Sequence, residues 1–110
     1  MTDVNTINEV AFQIVAVAGA ARSAYIESIR CARKGDFEAA MAATSGGDEA
    51  FAQGHEAHVS LIQCEAAGDP VAMNMMITHA EDQLMSAESI GVMAEELIET
   101  FKLLHEKHAL

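Results

Sequence analysis

VAMNMMITHAEDQLMSAESIGVMAEELIETFKLLHEKH, residues 71–108, is the stretch that decides the fold. Met73, Met76, Ala80, Gln83, Ala87, Ile90, Ala94, Leu97, Phe101 and Leu104 recur at alternating spacings of three and four, with Gln83 the one polar member. That spacing is a heptad seam on a helix. Ile77, Leu84, Gly91 and Ile98 widen the stripe on one side, and Met75 and Met93 add apolar surface elsewhere. A helix of about 38 residues at 1.5 Å rise is about 57 Å long. One small chain has limited means of covering so wide an apolar surface, so the segment predicts self-association without fixing the number of subunits.

Two further helices precede it. Over about Thr6 to Arg33, Val10, Ile14, Val17, Ala18, Ala21, Tyr25, Ile29 and Ala32 recur mostly three and four apart, the pattern of one buried face. Lys34-Gly35 ends that helix, with a cation near the carbonyl end and glycine just beyond it, and Asp36 caps the next. The second segment carries Phe37, Ala40, Met41, Ala43, Phe51, His55, His58, Leu61 and Ile62. Gly46-Gly47 interrupts it at a cost of about 2 kcal/mol relative to two alanines, so local signals alone predict a break there and a restart at Asp48. Ala67-Gly68-Asp69-Pro70 is a firmer stop.

The composition agrees with an all-α chain. The 110 residues make one small domain, spanning 1–110, with 51% apolar residues, no Trp and a single proline. A net charge of −11 argues against nucleic acid or an anionic membrane as the main partner, since both need positive charge. No run of about 18 apolar residues and no basic leader stand out, which predicts a soluble, cytoplasmic protein. Cys31 and Cys64 lack metal-type spacing and read as thiols facing the core rather than as a disulfide.

The chemistry concentrates in Ile77–Met85. His79, Asp82 and Gln83 stand at i, i+3 and i+4 and so share one helix face. Such a cluster is either a satisfied polar network or a reactive site. A carboxylate or amide bonded to one imidazole nitrogen would fix the tautomer and leave the other nitrogen nucleophilic. Near the axis of a symmetric oligomer, copies of Asp82 would crowd and require protonation or a bridging cation. His55 and His58, three apart, are half of a metal-site pattern with no Cys or second His pair beside them. His105 and His108 suit the carbonyl end of the last helix. Gly46-Gly47 lacks the Lys-Ser/Thr continuation of a phosphate loop.

Four short motifs also resemble one family. Ala18-Gly19-Ala20-Ala21-Arg22-Ser23 and Gly35-Asp36-Phe37-Glu38-Ala39-Ala40 resemble the first-helix and turn motifs of the lactose/cellobiose (chitobiose) family of phosphotransferase-system enzyme IIA components. His55 with Leu61-Ile62-Gln63 and Glu65-Ala66 resembles its second-helix pattern. His79-Ala80-Glu81-Asp82-Gln83-Leu84-Met85 resembles its His-Ala-Gln-Asp-His-Leu-Met signature. The match is collinear over about residues 9 to 105.

The resemblance implies an antiparallel up-down-up three-helix bundle assembling as a homotrimer with the third helix central. It implies that His79 accepts a phosphoryl group from phospho-HPr, forming a tele-phosphohistidine, and passes it to the cysteine of a cognate enzyme IIB. IIB in turn serves the membrane enzyme IIC in uptake of a β-linked disaccharide such as lactose, cellobiose or chitobiose. It further implies that Asp82 lies near the trimer axis and binds a divalent cation such as Mg2+. Two departures stand out: Gln83 replaces the signature's second histidine and Glu81 its glutamine. Gln83, and Thr78 beside His79, can donate hydrogen bonds to phosphoryl oxygens, but Gln83 cannot carry positive charge. The ungapped match also places Gly46-Gly47 inside a continuous helix of about residues 37 to 66, as a kink or weak turn.

Overall fold

Side-chain caps set where each helix begins. The computed structural model describes residues 3–110 and contains α1 (Val4–Arg33), α2 (Phe37–Ala66) and α3 (Met75–Glu106), with no strand among the described residues. The Asp3 carboxylate accepts from the Thr6 N–H at 2.8 Å and starts α1 at Val4. Asp36 does the same for α2 through the Ala39 N–H at 3.1 Å. Between them Gly35 takes φ +87, a conformation open to glycine because it has no Cβ.

α3 begins later than its periodicity predicts. Residues 71–74 run on from Pro70 without helix, and Asn74 is the cap, its Oδ1 accepting from the Ile77 N–H at 2.9 Å. The same amide donates to Asn8 Oδ1 at 3.0 Å, tying the start of α3 to α1. Met73 therefore precedes the helix, although its spacing fits the seam. At the far end α3 stops at Glu106 rather than His108, which has φ +56. His105 is half-buried there, with Nε2 3.1 Å from the Arg33 carbonyl and its ring edge-on to Phe37. This contact holds the end of α3 against the α1–α2 turn, a role beyond the helix-dipole one read from the sequence.

The chain folds as an antiparallel up-down-up bundle measuring 57 × 20 × 19 Å. α1 is its central element: it packs extensively on both neighbours, whereas α2 and α3 touch each other sparingly. Ile7, Ala11, Ile14, Ala18, Ala21 and Tyr25 bury the α1 stripe against Leu61 of α2 and Ile77, Ala80, Leu84, Ala87 and Ala94 of α3. By length and composition α1 is also long and apolar enough to cross a membrane, which the sequence reading did not expect; here its stripe supplies the centre of the bundle. Neither cysteine reaches the core, since Cys31 and Cys64 are both half-buried.

α2 is one continuous helix, so the predicted break at Gly46-Gly47 does not form. Close packing explains the second glycine. A Cβ on Gly47 would stand 2.7 Å from the Tyr25 ring, and one on Gly91 of α3 2.8 Å from its other edge. Tyr25 is 4% exposed and donates its hydroxyl to Asp48 Oδ1 at 2.6 Å. Burial, reinforced by that hydrogen bond to a carboxylate, pushes the phenol well above its usual 10.0. Two glycines thus let α2 and α3 close on one aromatic ring.

Candidate functional site

His79 lies in the second turn of α3, just beyond the Asn74 cap. Ile77, Ala80, Leu84 and Ala87 bury one side of this part of the helix, which leaves His79 and Asp82 exposed on the other and Gln83 half-buried at the edge. Among the described residues no hydrogen bond joins His79 to Asp82 or Gln83, so the tautomer-fixing contact expected from their spacing is not made. Thr78 is also committed elsewhere: its hydroxyl donates to the Asn74 carbonyl at 2.9 Å, which removes it as a donor beside His79.

Gln83 is engaged from across the bundle. Arg22 of α1 donates from Nη1 to Gln83 Oε1 at 2.6 Å, between residues 61 apart in sequence. The amide nitrogen of Gln83 keeps both its N–H donors. Arg22 was read only as part of a family motif. Its local signal is a lone cation at the edge of the Ala18–Ala21–Tyr25 stripe, but no short stretch of the chain sets the register that brings it to α3.

His79, Glu81, Asp82 and Gln83 split between two faces of α3. Glu81 turns to α2, where its Oε2 lies 2.5 Å from His58 Nδ1, an ion pair when the imidazole is protonated. The approach does not meet hydrogen-bond geometry, and Nδ1 is otherwise unsatisfied. His55 stacks on Phe51, with ring centroids 5.9 Å apart, and lies 6.3 Å from the His58 ring. Beside this pair an apolar groove of about 250 Å³ runs between α2 and α3, lined by Leu61, Ile62, Val71, Met73, Ile77 and Met85. His55 and His58 do not join a third ligand: among the described residues no group of three or more His, Cys, Asp or Glu converges on a common point. A single chain offers a cation at Asp82 one exposed carboxylate and no cage.

The arrangement therefore presents one solvent-facing imidazole, an arginine-bound amide one turn along the same helix, and a separate carboxylate beside them. An exposed neutral imidazole is a nucleophile that can take up and release a group without rearrangement of the bundle.

Comparison with known proteins identifies relatives of the chain as a whole. The family model described as "PTS system, Lactose/Cellobiose specific IIA subunit" matches residues 9–102. The chain is 37% identical over 91 residues to a lactose-specific EIIA component of the phosphotransferase system from Staphylococcus aureus, covering 83% of this chain and 88% of that protein. It is 34% identical over 101 residues to a lichenan-specific phosphotransferase enzyme IIA component from Bacillus subtilis, covering 92% of each. The crystal structure of the cellobiose-specific enzyme IIA from Bacillus anthracis superposes with a TM-score of 0.89 at 31% identity, covering 97% of this chain and 96% of that one.

Proposed function

Since the chain belongs to the lactose/cellobiose-specific IIA family of the phosphotransferase system, and so is a phosphotransferase component, we propose that His79 is the residue that carries its phosphoryl group. The observation that carries this reading is the position of His79: exposed, unbonded to its neighbours, and beside the Arg22–Gln83 contact. Three of the other four histidines have competing engagements, and the fourth, His108, lies beyond the end of α3. His55 stacks on Phe51, His58 faces Glu81, and His105 contacts Arg33 and Phe37.

In the proposed cycle the three helices act as one phosphocarrier unit. The Nε2 lone pair of neutral His79 attacks the phosphorus of phospho-HPr in line. The P–N bond forms as the donor's bond to phosphorus breaks, and in net one proton passes from the imidazole to the donor's leaving group. Transfer onward reverses these movements: the sulfur of the IIB cysteine attacks phosphorus, the P–N bond breaks, and the thiol proton ends on the His79 ring. Most of the catalysis is positioning, because the transferred group needs alignment and oxygen ligands rather than new covalent chemistry. This reading assigns the Gln83 amide, four residues from His79 on α3, as one oxygen ligand.

The wider setting follows from the same reading. Partners are HPr and a cognate IIB in the cytoplasm, with the membrane enzyme IIC reached through IIB. The sugar is a β-linked disaccharide; the relatives are named for lactose, lichenan and cellobiose, and His79 need not touch the sugar at all. The assembly is a homotrimer with α3 central. In support, Met75, Met85, Val92, Met93 and Leu103 of α3 are all exposed in the single chain, Met75 by 82%. Copies of Asp82 brought to the axis would supply carboxylate oxygens, hard donors suited to Mg2+, and the ion would neutralise their mutual repulsion.

The test is incubation with phosphoenolpyruvate, enzyme I and HPr followed by intact-mass measurement. An acid-labile gain of one phosphate is expected in the wild type and its absence in His79→Ala. A gain that persists in His79→Ala removes His79 from the role.

A further inference from the structure

Building on that reading of His79, the geometry points to Arg22 as the catalytic cation for the phosphoryl group, with Gln83 as the positioning residue that aims it. Gln83 is uncharged, so if the transferred group meets positive charge on this face, another element must supply it. Arg22 is the side chain that reaches the place. Its Nη1 touches Gln83 Oε1 at 2.6 Å, and Gln83 stands four residues from His79, where Cβ atoms on one helix face are about 5–6 Å apart.

The state of Arg22 fits the task. The chain holds 17 acidic and 6 basic residues, so a half-buried arginine would be expected to pair with a carboxylate. Among the described residues it pairs with none, and its hydrogen bond goes to a neutral amide. That bond uses one of five guanidinium N–H donors and leaves the charge uncompensated. The planar fork that remains matches two phosphoryl oxygens at once. Gln83 is suited to hold it because its carbonyl accepts from Arg22 while its N–H donors stay available to the same phosphoryl group. Arg22 also sits one turn before Tyr25, whose ring is gripped between Gly47 and Gly91, so α1 is fixed at the height where the guanidinium meets α3.

A bond that merely joins two helices would not alter the ionisation of a phosphoryl group on His79, and that ionisation is the discriminating readout. The full-length protein, phosphorylated by phosphoenolpyruvate, enzyme I and HPr, is titrated by 31P NMR beside Arg22→Gln, Arg22→Met, Arg22→Lys and Gln83→Glu. A guanidinium next to the phosphoryl oxygens favours the dianion, so Arg22→Gln is expected to raise the phosphoryl pKa by about one unit. Arg22→Lys is expected to recover part of the shift. Gln83→Glu, which sets a carboxylate against the guanidinium and beside the phosphoryl group, is expected to raise the pKa as well; Arg22→Met covers the case in which Arg22→Gln fails to fold. An unshifted titration in Arg22→Gln or Arg22→Met, with His79 phosphorylated, overturns the role of Arg22 and leaves that of His79 standing. A wild type that takes no phosphate on His79 overturns both.

Discussion

Gly46 and Gly47 are neighbours in one helix, yet alanine at the two positions should act with opposite sign. At Gly46 an added Cβ meets nothing within 4 Å, so Gly46→Ala gains only helix propensity, about 0.5–1 kcal/mol of stabilisation. At Gly47 the same Cβ stands 2.7 Å from Cε1 and 2.8 Å from Cδ1 of Tyr25. The ring cannot swing away, because Gly91 closes its other edge and Asp48 holds its hydroxyl at 2.6 Å. Overpacking costs about 1–3 kcal/mol, and losing a hydrogen bond to a charged acceptor about 1.5–3. Set against the propensity gain, Gly47→Ala should be destabilised by about 1.5–5.5 kcal/mol. Urea unfolding followed by helical circular dichroism measures both, at matched protein concentration so that any self-association contributes equally. Equal stability of Gly46→Ala and Gly47→Ala would refute the packing of α2 on Tyr25.

Three further outcomes follow from the same contacts. Asn74→Ala removes the α3 cap and the bond to Asn8, and thermal unfolding should show a loss of about 1–2 kcal/mol, whereas Asn74→Asp should retain the cap. The folded-state pKa of Tyr25 is raised above 10.0, so its stabilisation is complete below that pH and fades as pH climbs past it. Denaturation across pH 9 to 12 should therefore show an alkaline loss that Tyr25→Phe lacks; Cys31, raised from 9.0 by partial burial and Glu27, contributes a loss of the same sign to both proteins. His105→Ala frees the Arg33 carbonyl and the Phe37 ring edge, and hydrogen exchange should speed at residues 33–37 and in the last turn of α3 while the Ile77–Ala87 amides stay protected.

The helices were legible because their periodicity is a local property. Ile14, Ala18, Ala21 and Tyr25 fall on the buried face of α1 as their spacing predicts, and Ala80, Ala87 and Ala94 do so on α3. The start of α3 was misplaced because Met73 continues the seam past the true cap, and a cap is decided by one side chain, Asn74, rather than by the pattern. Gly46-Gly47 misled for a different reason: propensity charges both glycines alike, and only the fold shows that Gly47 faces a ring from another helix. The candidate site divides in the same way. The common face of His79, Asp82 and Gln83 follows from helix geometry, and the role proposed for His79 rests on the family signature. That Gln83 is held by Arg22, and that Glu81 turns to His58, depends on the register between helices, which no short stretch of the chain encodes.

Of the five histidines, His79 alone is proposed to hold the phosphoryl group. The most direct test is to phosphorylate the wild type with phosphoenolpyruvate, enzyme I and HPr, digest it at neutral to alkaline pH, and locate the phosphate by fragmentation mass spectrometry. The phosphate is expected on His79 alone. Its recovery on His55, His58, His105 or His108, with His79 unmodified, would contradict the account.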